Sequence, residues 1–173
     1  MADDAATRGV ARRAHWAVFL GLAGAIVVVD QSTKAWLQSN FAPGQVAQVI
    51  GDTVRLVFGQ NSGALFGLFR DQALLFALAS LGVVGLIVAY HGRSARSLYL
   101  SLALGFLLGG AVGNLIDRLR LGYVVDFVDV GIGNLRFYTF NVADAAISTA
   151  IVLLLGVAIV PGLARIVDSR FDG

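Results

Sequence analysis

Apolar positions fall into four long blocks, separated by two polar excursions and short basic segments. The first block, Trp16 to Val29, keeps its helical pattern through Asp30-Gln31-Ser32-Thr33-Lys34-Ala35-Trp36. Ala73 to Tyr90 carries no charge, Leu98 to about Gly113 follows, and Val142 to Val160 is stopped by Pro161-Gly162. Such runs approach the ~20 apolar residues that a helix needs to cross a hydrocarbon core of ~30 Å. Trp16 and Trp36 are spaced to stand ~30 Å apart on a helix rising ~1.5 Å per residue, so each falls at one interface. In the first excursion, Val46 to Ile50 and Thr53 to Phe58 flank Gly51-Asp52 and predict two short strands across a turn. Asn61-Ser62-Gly63-Ala64-Leu65-Phe66-Gly67 then reads as a tight, irregular loop. In the second excursion, Tyr123 to Val130 is strand-like, and Gly131-Ile132-Gly133-Asn134 is a turn between short strands.

The expected architecture is an integral membrane protein, mainly α. It has four transmembrane helices, a small extracytoplasmic β-rich excursion and both termini cytoplasmic. Residues 1–173 form one domain, with spans at about 15–37, 72–90, 97–115 and 142–161. The extracytoplasmic segments are about 38–71 and 116–141. Residues 1–15 and 162–173 are polar and carry no pattern. A signal peptide would also place a basic segment ahead of Trp16, but no small-x-small cleavage site follows closely.

Composition supports the membrane reading. Of 173 residues, 57% are hydrophobic and 14% charged, against ~25% charged in an ordinary soluble domain, and the mean hydropathy is +0.78. The absence of cysteine excludes disulfides, thiolate metal sites and a cysteine nucleophile. The net charge of +2 is spread over short flanks and forms no nucleic-acid face. Arg8, Arg12 and Arg13, then Arg93 and Arg96, then Arg165 and Arg170 fall on segments that must share one side of a four-span protein. That side is cytoplasmic by the positive-inside rule. Asp30 with Lys34, the Asn61 loop and the stretch from Gly109 to Asp144 then converge at the opposite, outer end.

Polar groups in so apolar a chain are costly and call for a function. Asp30 and Lys34 share a helix face at i, i+4, either as an interfacial ion pair or as a brace for a polar site. Asn141 suits an N-cap with Asp144 at the third helical position, which by itself is a sufficient structural role. A second aspartate, Asp126, waits at the same depth in the preceding segment. Two close carboxyls in a low-dielectric site share a proton, so one can activate water while the other polarises an amide carbonyl. Asn114, Asp117 and Arg118 share one helix face or end; Arg118 could hold a catalytic carboxylate or a lipid phosphate, or simply pair with Asp117. Serine and metallopeptidase schemes lack their parts. His15 and His91 fall at the cytoplasmic end, and Gly-x-Ser-Gly, His-Glu-x-x-His and Gly-x-Gly-Asp motifs are absent.

Five stretches, in order, resemble the lipoprotein signal peptidase (signal peptidase II) family. They are Asp30-x-x-x-Lys34, Asn61-x-Gly63-Ala64-x-Phe66-Gly67, Gly109-Gly110-Ala111-x-Gly113-Asn114-x-x-Asp117-Arg118, Val125-Asp126-Phe127 and Phe140-Asn141-x-Ala143-Asp144. The resemblance covers nearly the whole chain. It implies an aspartic endopeptidase of the bacterial inner membrane, active at the extracytoplasmic face without metal or cofactor. Such an enzyme removes signal peptides from prolipoproteins, cutting before a diacylglyceryl-modified cysteine. It also implies Asp126 and Asp144 as the catalytic dyad. Asn61, Asn114, Arg118 and Asn141 would line the site, and Asp30, Lys34, Gly110 and Asp117 would support it. Membrane lipids and globomycin-type inhibitors are the other expected partners. Two other classes compete from composition alone: a small proton-conducting or transport subunit, and a non-catalytic assembly factor using its glycines for packing.

Overall fold

In a computed structural model, residues 2–62, 73–94 and 97–160 are described. Among the described residues, four helices are long and apolar enough to cross a membrane: α1 (Ala2–Asn40), α2 (Ala73–Ser94), α3 (Leu98–Leu121) and α4 (Val142–Ile159). Four strands, β1 (Val46–Ile50), β2 (Val54–Asn61), β3 (Val124–Ile132) and β4 (Leu135–Arg136), form an open antiparallel sheet in chain order. The expected mainly-α architecture with a small β-rich excursion is what the chain adopts.

α3 is the axis of the bundle, with α1, α2 and α4 packed against it. Its most apolar window is 61% buried, against 17% in α2 and in α4. Close approach needs small residues. A Cβ on Gly109 would meet Ala23 O of α1 at 2.9 Å, and one on Gly110 would run into Ala143 O of α4. Gly122, in the left-handed region at φ 77°, caps α3 and donates to Arg118 O. That stop turns the chain straight into β3 and brings Asp126 back over the end of α3.

The first polar segment behaves differently from its sequence pattern. Residues 1–15 read as irregular, yet α1 is helical from Ala2; Ala5, Ala6, Ala11 and Ala14 supply the propensity that the polar pattern obscured. α3 likewise continues to Leu121, past the 97–115 expected for its span, so Asp117 and Arg118 are helical. Asn61, expected in a loop, is the last residue of β2 and pairs with Val124. The remainder of that expected loop, from Gly63, lies outside the described residues.

Two buried clusters mark the two ends of the bundle. At one, fully buried His91 stacks on Phe19 (centroids 4.0 Å apart) and meets the edge of Trp16. At the other, Leu37, Phe58, Val125 and Phe127 fasten α1 to the sheet. Ser101, beside His91, and Asn114 are ~20 Å apart along α3 at ~1.5 Å per residue. The histidines are therefore remote from the aspartates.

Candidate active site

Three helix ends and the start of β3 carry the site. α4 begins with a reciprocal capping box: Asn141 Oδ1 accepts from Asp144 N at 2.9 Å, and Asp144 Oδ2 accepts from Asn141 N at 3.2 Å. Asp144 thus sits at the positive end of the helix. Asp126 is placed by an irregularity in the sheet. Between the pairs Leu56–Val128 and Gly59–Asp126, β2 has one residue more than β3. A bulge of this kind turns the strand and re-aims its side chains. Gly59 permits the approach, since a Cβ there would lie 3.1 Å from Asp126 O.

Amides join the two carboxylates. Asn141 Nδ2 donates to Asp126 Oδ1 at 2.8 Å, to Val125 O at 3.2 Å and to Asn114 Oδ1 at 3.1 Å. Asn61 Nδ2 donates to the other oxygen of Asp126 at 3.0 Å. Asn114 Nδ2 donates to Asp144 Oδ1 at 2.8 Å. Asp126 is 3% exposed. Burial is the main force raising its pKa from 3.8 to about 6; the donors Asn61 and Asn141 and the charge of Lys34 pull it down, while the charge of Asp144 adds to the rise.

Beneath this pair lies a second, charged layer. Lys34 Nζ is spent on three acceptors: Asp30 Oδ2 at 2.7 Å, Asp117 Oδ2 at 2.9 Å and Asn114 Oδ1 at 3.1 Å. Lys34, Asp30 and Asp117 are all buried. Each acid also grips a backbone N–H next to Asp126 or Asp144. Asp30 Oδ1 accepts from Ala143 N at 2.9 Å, and Asp117 Oδ2 from Val125 N at 3.1 Å. Asp117, read from sequence as a possible partner of Arg118, is therefore the partner of Lys34. The Asp30 carboxylate fits because position 113 is glycine: a Cβ would meet its Oδ2 at 2.7 Å.

Arg118 is half-buried. Its Nη1 donates to Asn114 O at 3.3 Å, and its guanidinium carbon lies 5.9 Å from the Phe76 ring centroid. Among the described residues it forms no ion pair with Asp126 or Asp144, although the charges of both act on it. Gln31 escaped the sequence reading. It bridges α1 to α3 by donating to Asp117 Oδ1 at 2.9 Å and to Gly113 O and Asp30 Oδ2 at 3.2 Å each.

A sequence model described as "Signal peptidase (SPase) II" matches residues 22–160. The chain belongs to the signal peptidase II family. The lipoprotein signal peptidase of Syntrophomonas wolfei subsp. wolfei is 37% identical over 147 residues, covering 85% of this chain and 93% of the relative. That of Moorella thermoacetica is 38% identical over 144 residues, covering 83% and 93%. Two solved structures, each described as a bacterial membrane enzyme, superpose with TM-scores of 0.75 and 0.76 at 26% and 27% identity. They cover 90% and 82% of this chain and 93% and 92% of theirs. Membership in the signal peptidase II family makes this chain an aspartic peptidase, and all five resembling stretches fall within the matched residues. Four of them are fully described and converge on one network; of the Asn61 stretch, only Asn61 and Ser62 are described.

Proposed function

We propose that Asp126 and Asp144 are the catalytic pair of a peptidase that removes signal peptides from diacylglyceryl-modified prolipoproteins, cutting before the modified cysteine. The observation that carries this reading is Asn141 at the start of α4: its side chain donates to the Asp126 carboxylate and accepts from Asp144 N, while its backbone N–H donates to the Asp144 carboxylate. Asp144, as carboxylate, takes a proton from a water placed between the two acids. The water oxygen bonds to the amide carbon while protonated Asp126 donates to the carbonyl oxygen. Collapse of the tetrahedral species breaks the C–N bond. The proton on Asp144 passes to the leaving nitrogen, and Asp126 recovers its own. Acyl chains arriving from the bilayer exclude water and push Asp126 further above about 6. No metal or cofactor enters the scheme.

Asn61, Asn114, Asn141 and Arg118 line the site in this reading, and Arg118 keeps donors free for a carbonyl or phosphate of the lipidated substrate. Asp30, Lys34, Asp117 and Gly110 hold it in place. The chain is one four-span domain of the inner membrane with both termini cytoplasmic, oriented by the arginines of its short segments. The site then lies at the extracytoplasmic face, where substrate enters laterally and globomycin-type inhibitors would compete.

The test is cleavage of a diacylglyceryl-modified prolipoprotein by purified protein in detergent, comparing wild type with Asp126→Asn and Asp144→Asn. Each variant should insert normally and lose turnover. Wild-type turnover by either variant would remove that aspartate from the mechanism.

A further inference from the structure

The charged layer contains one neutral member whose geometry is as specific as that of the acids. Gln31 lies at the seam of α1 and α3. Its amide nitrogen reaches Asp30 Oδ2, Asp117 Oδ1 and Gly113 O. It is the sole donor to Asp117 Oδ1 among the described residues. Lys34 is already saturated by Asp30, Asp117 and Asn114, so it cannot serve that oxygen without leaving another acceptor.

We propose that Gln31 is a positioning residue for the reaction: it fixes the two buried acids so that their remaining oxygens hold Val125 and Ala143, and through them Asp126 and Asp144, in register. The transmission is short. Asp117 accepts from Val125 N, and Asp126 is the next residue; Asp30 accepts from Ala143 N, and Asp144 is the next residue. Gln31 thus touches the support of each catalytic carboxylate while touching neither.

A sign-definite consequence separates this role from general packing. Charged groups around Asp126 are Lys34 from α1, Asp117 and Arg118 from α3, and Asp144 from α4; β2 contributes the neutral amide of Asn61, while its Arg55 is engaged by Asp129. Without Gln31, the bare Asp117 Oδ1 draws the Lys34 ammonium towards itself and away from Asn114. The positive charge acting on Asp126 then recedes, and its proton is held to higher pH.

The proposal rests on the peptidase reading, so its test carries controls for that reading. Wild type, Asp126→Asn, Gln31→Met and Gln31→Asn are assayed on a diacylglyceryl-modified prolipoprotein across pH, with thermal unfolding in the same detergent. Met keeps the length and removes the donors; Asn keeps the amide but cannot span the seam. Both Gln31 variants should lose about 10- to 100-fold in kcat, the scale for small displacements of reacting groups. KM should stay within about 2-fold, because no substrate contact is lost. The alkaline limb of kcat/KM should move up. Unchanged kcat and pH profile in either folded variant would overturn the proposal. So would a fall in activity and melting temperature with an unmoved limb, or a Gln31→Asn protein that does not fold, since each marks a purely structural residue. An inactive wild type, or an active Asp126→Asn, would instead refute the peptidase or dyad reading.

Discussion

Asn141→Ala tests how the site is held together. The side chain is fully buried and does two separable jobs, capping α4 and donating to Asp126. Loss of a cap costs about 1 kcal/mol. Loss of a hydrogen bond to a charged group costs about 1.5–3 kcal/mol, so the sum is about 2.5–4 kcal/mol when Asp126 is ionised. The second contribution depends on pH, and its sign follows from Asp126. The folded pKa, about 6, lies above the unfolded 3.8, so ionising this group opposes folding. Its contribution to stability is greatest below 3.8 and is lost as pH rises through about 6. Removing the Asn141 donor weakens the ionised form further and raises the pKa again. The excess loss of stability is therefore small at about pH 5 and grows above the wild-type value of about 6. The alkaline limb of kcat/KM, where Asp126 gives up its proton, should move up with it. Asn141→Ser restores a capping oxygen but not the donor to Asp126, so it should recover about 1 kcal/mol and keep the shifted limb. Unfolding at the two pH values and a pH–rate series on the same preparations suffice. A stability loss equal at both pH values, with a pH–rate profile overlying wild type, would refute the reasoning.

Gly110→Ala places a methyl against the carbonyl of Ala143. Pushing α4 off α3 should cost about 1–3 kcal/mol in unfolding and reduce turnover by moving Asp144; a wild-type melting temperature would show that the helices adjust freely. Arg118→Lys keeps the charge but loses the planar fork. It should raise KM and lower kcat/KM while insertion is unaffected, and unchanged kinetics would remove Arg118 from substrate handling.

Local signals were legible in the sequence, and reciprocal long-range ones were not. The Asn141–Asp144 box could be read because both partners lie within one turn. The Asp30–Lys34 pair could be read for the same reason. The turns at Gly51 and Gly133 carry the positive φ that their sequences demand. Asn61 misled because asparagine and serine followed by glycine signal a turn, whereas the ladder to Val124 keeps it in the sheet. Asp117 was adjacent in sequence to Arg118, and only the packing of α1 on α3 reveals Lys34 as its partner. Gln31 gave no local signal, since an amide beside an aspartate on a helix becomes specific only when another helix presents acceptors to it.

The outer part of the sheet has its own ionic lock. Asp129, 4% exposed, accepts from Arg136 Nε at 2.8 Å and from Arg55 Nη2 at 2.6 Å. Arg136 is the main reason its carboxyl titrates below the usual range. The pairs tie the turn at Asp52 to β3 and β4. This lock is separate from the network around Asp126 and Asp144 and shares no residue with it.

The spacing of Asp30 and Lys34 also bears on how the chain is made. Both charges lie on α1, which is synthesised before α2, α3 and α4, and they pair one turn apart on that helix. α1 can therefore enter the bilayer as a self-neutralised segment before any other part of the network has been synthesised. Asp117 arrives on a later helix and takes its cation from one already in place. For Asp30, Lys34 and Asp117, order of synthesis and order of neutralisation coincide, and none of the three waits for a partner from a later helix.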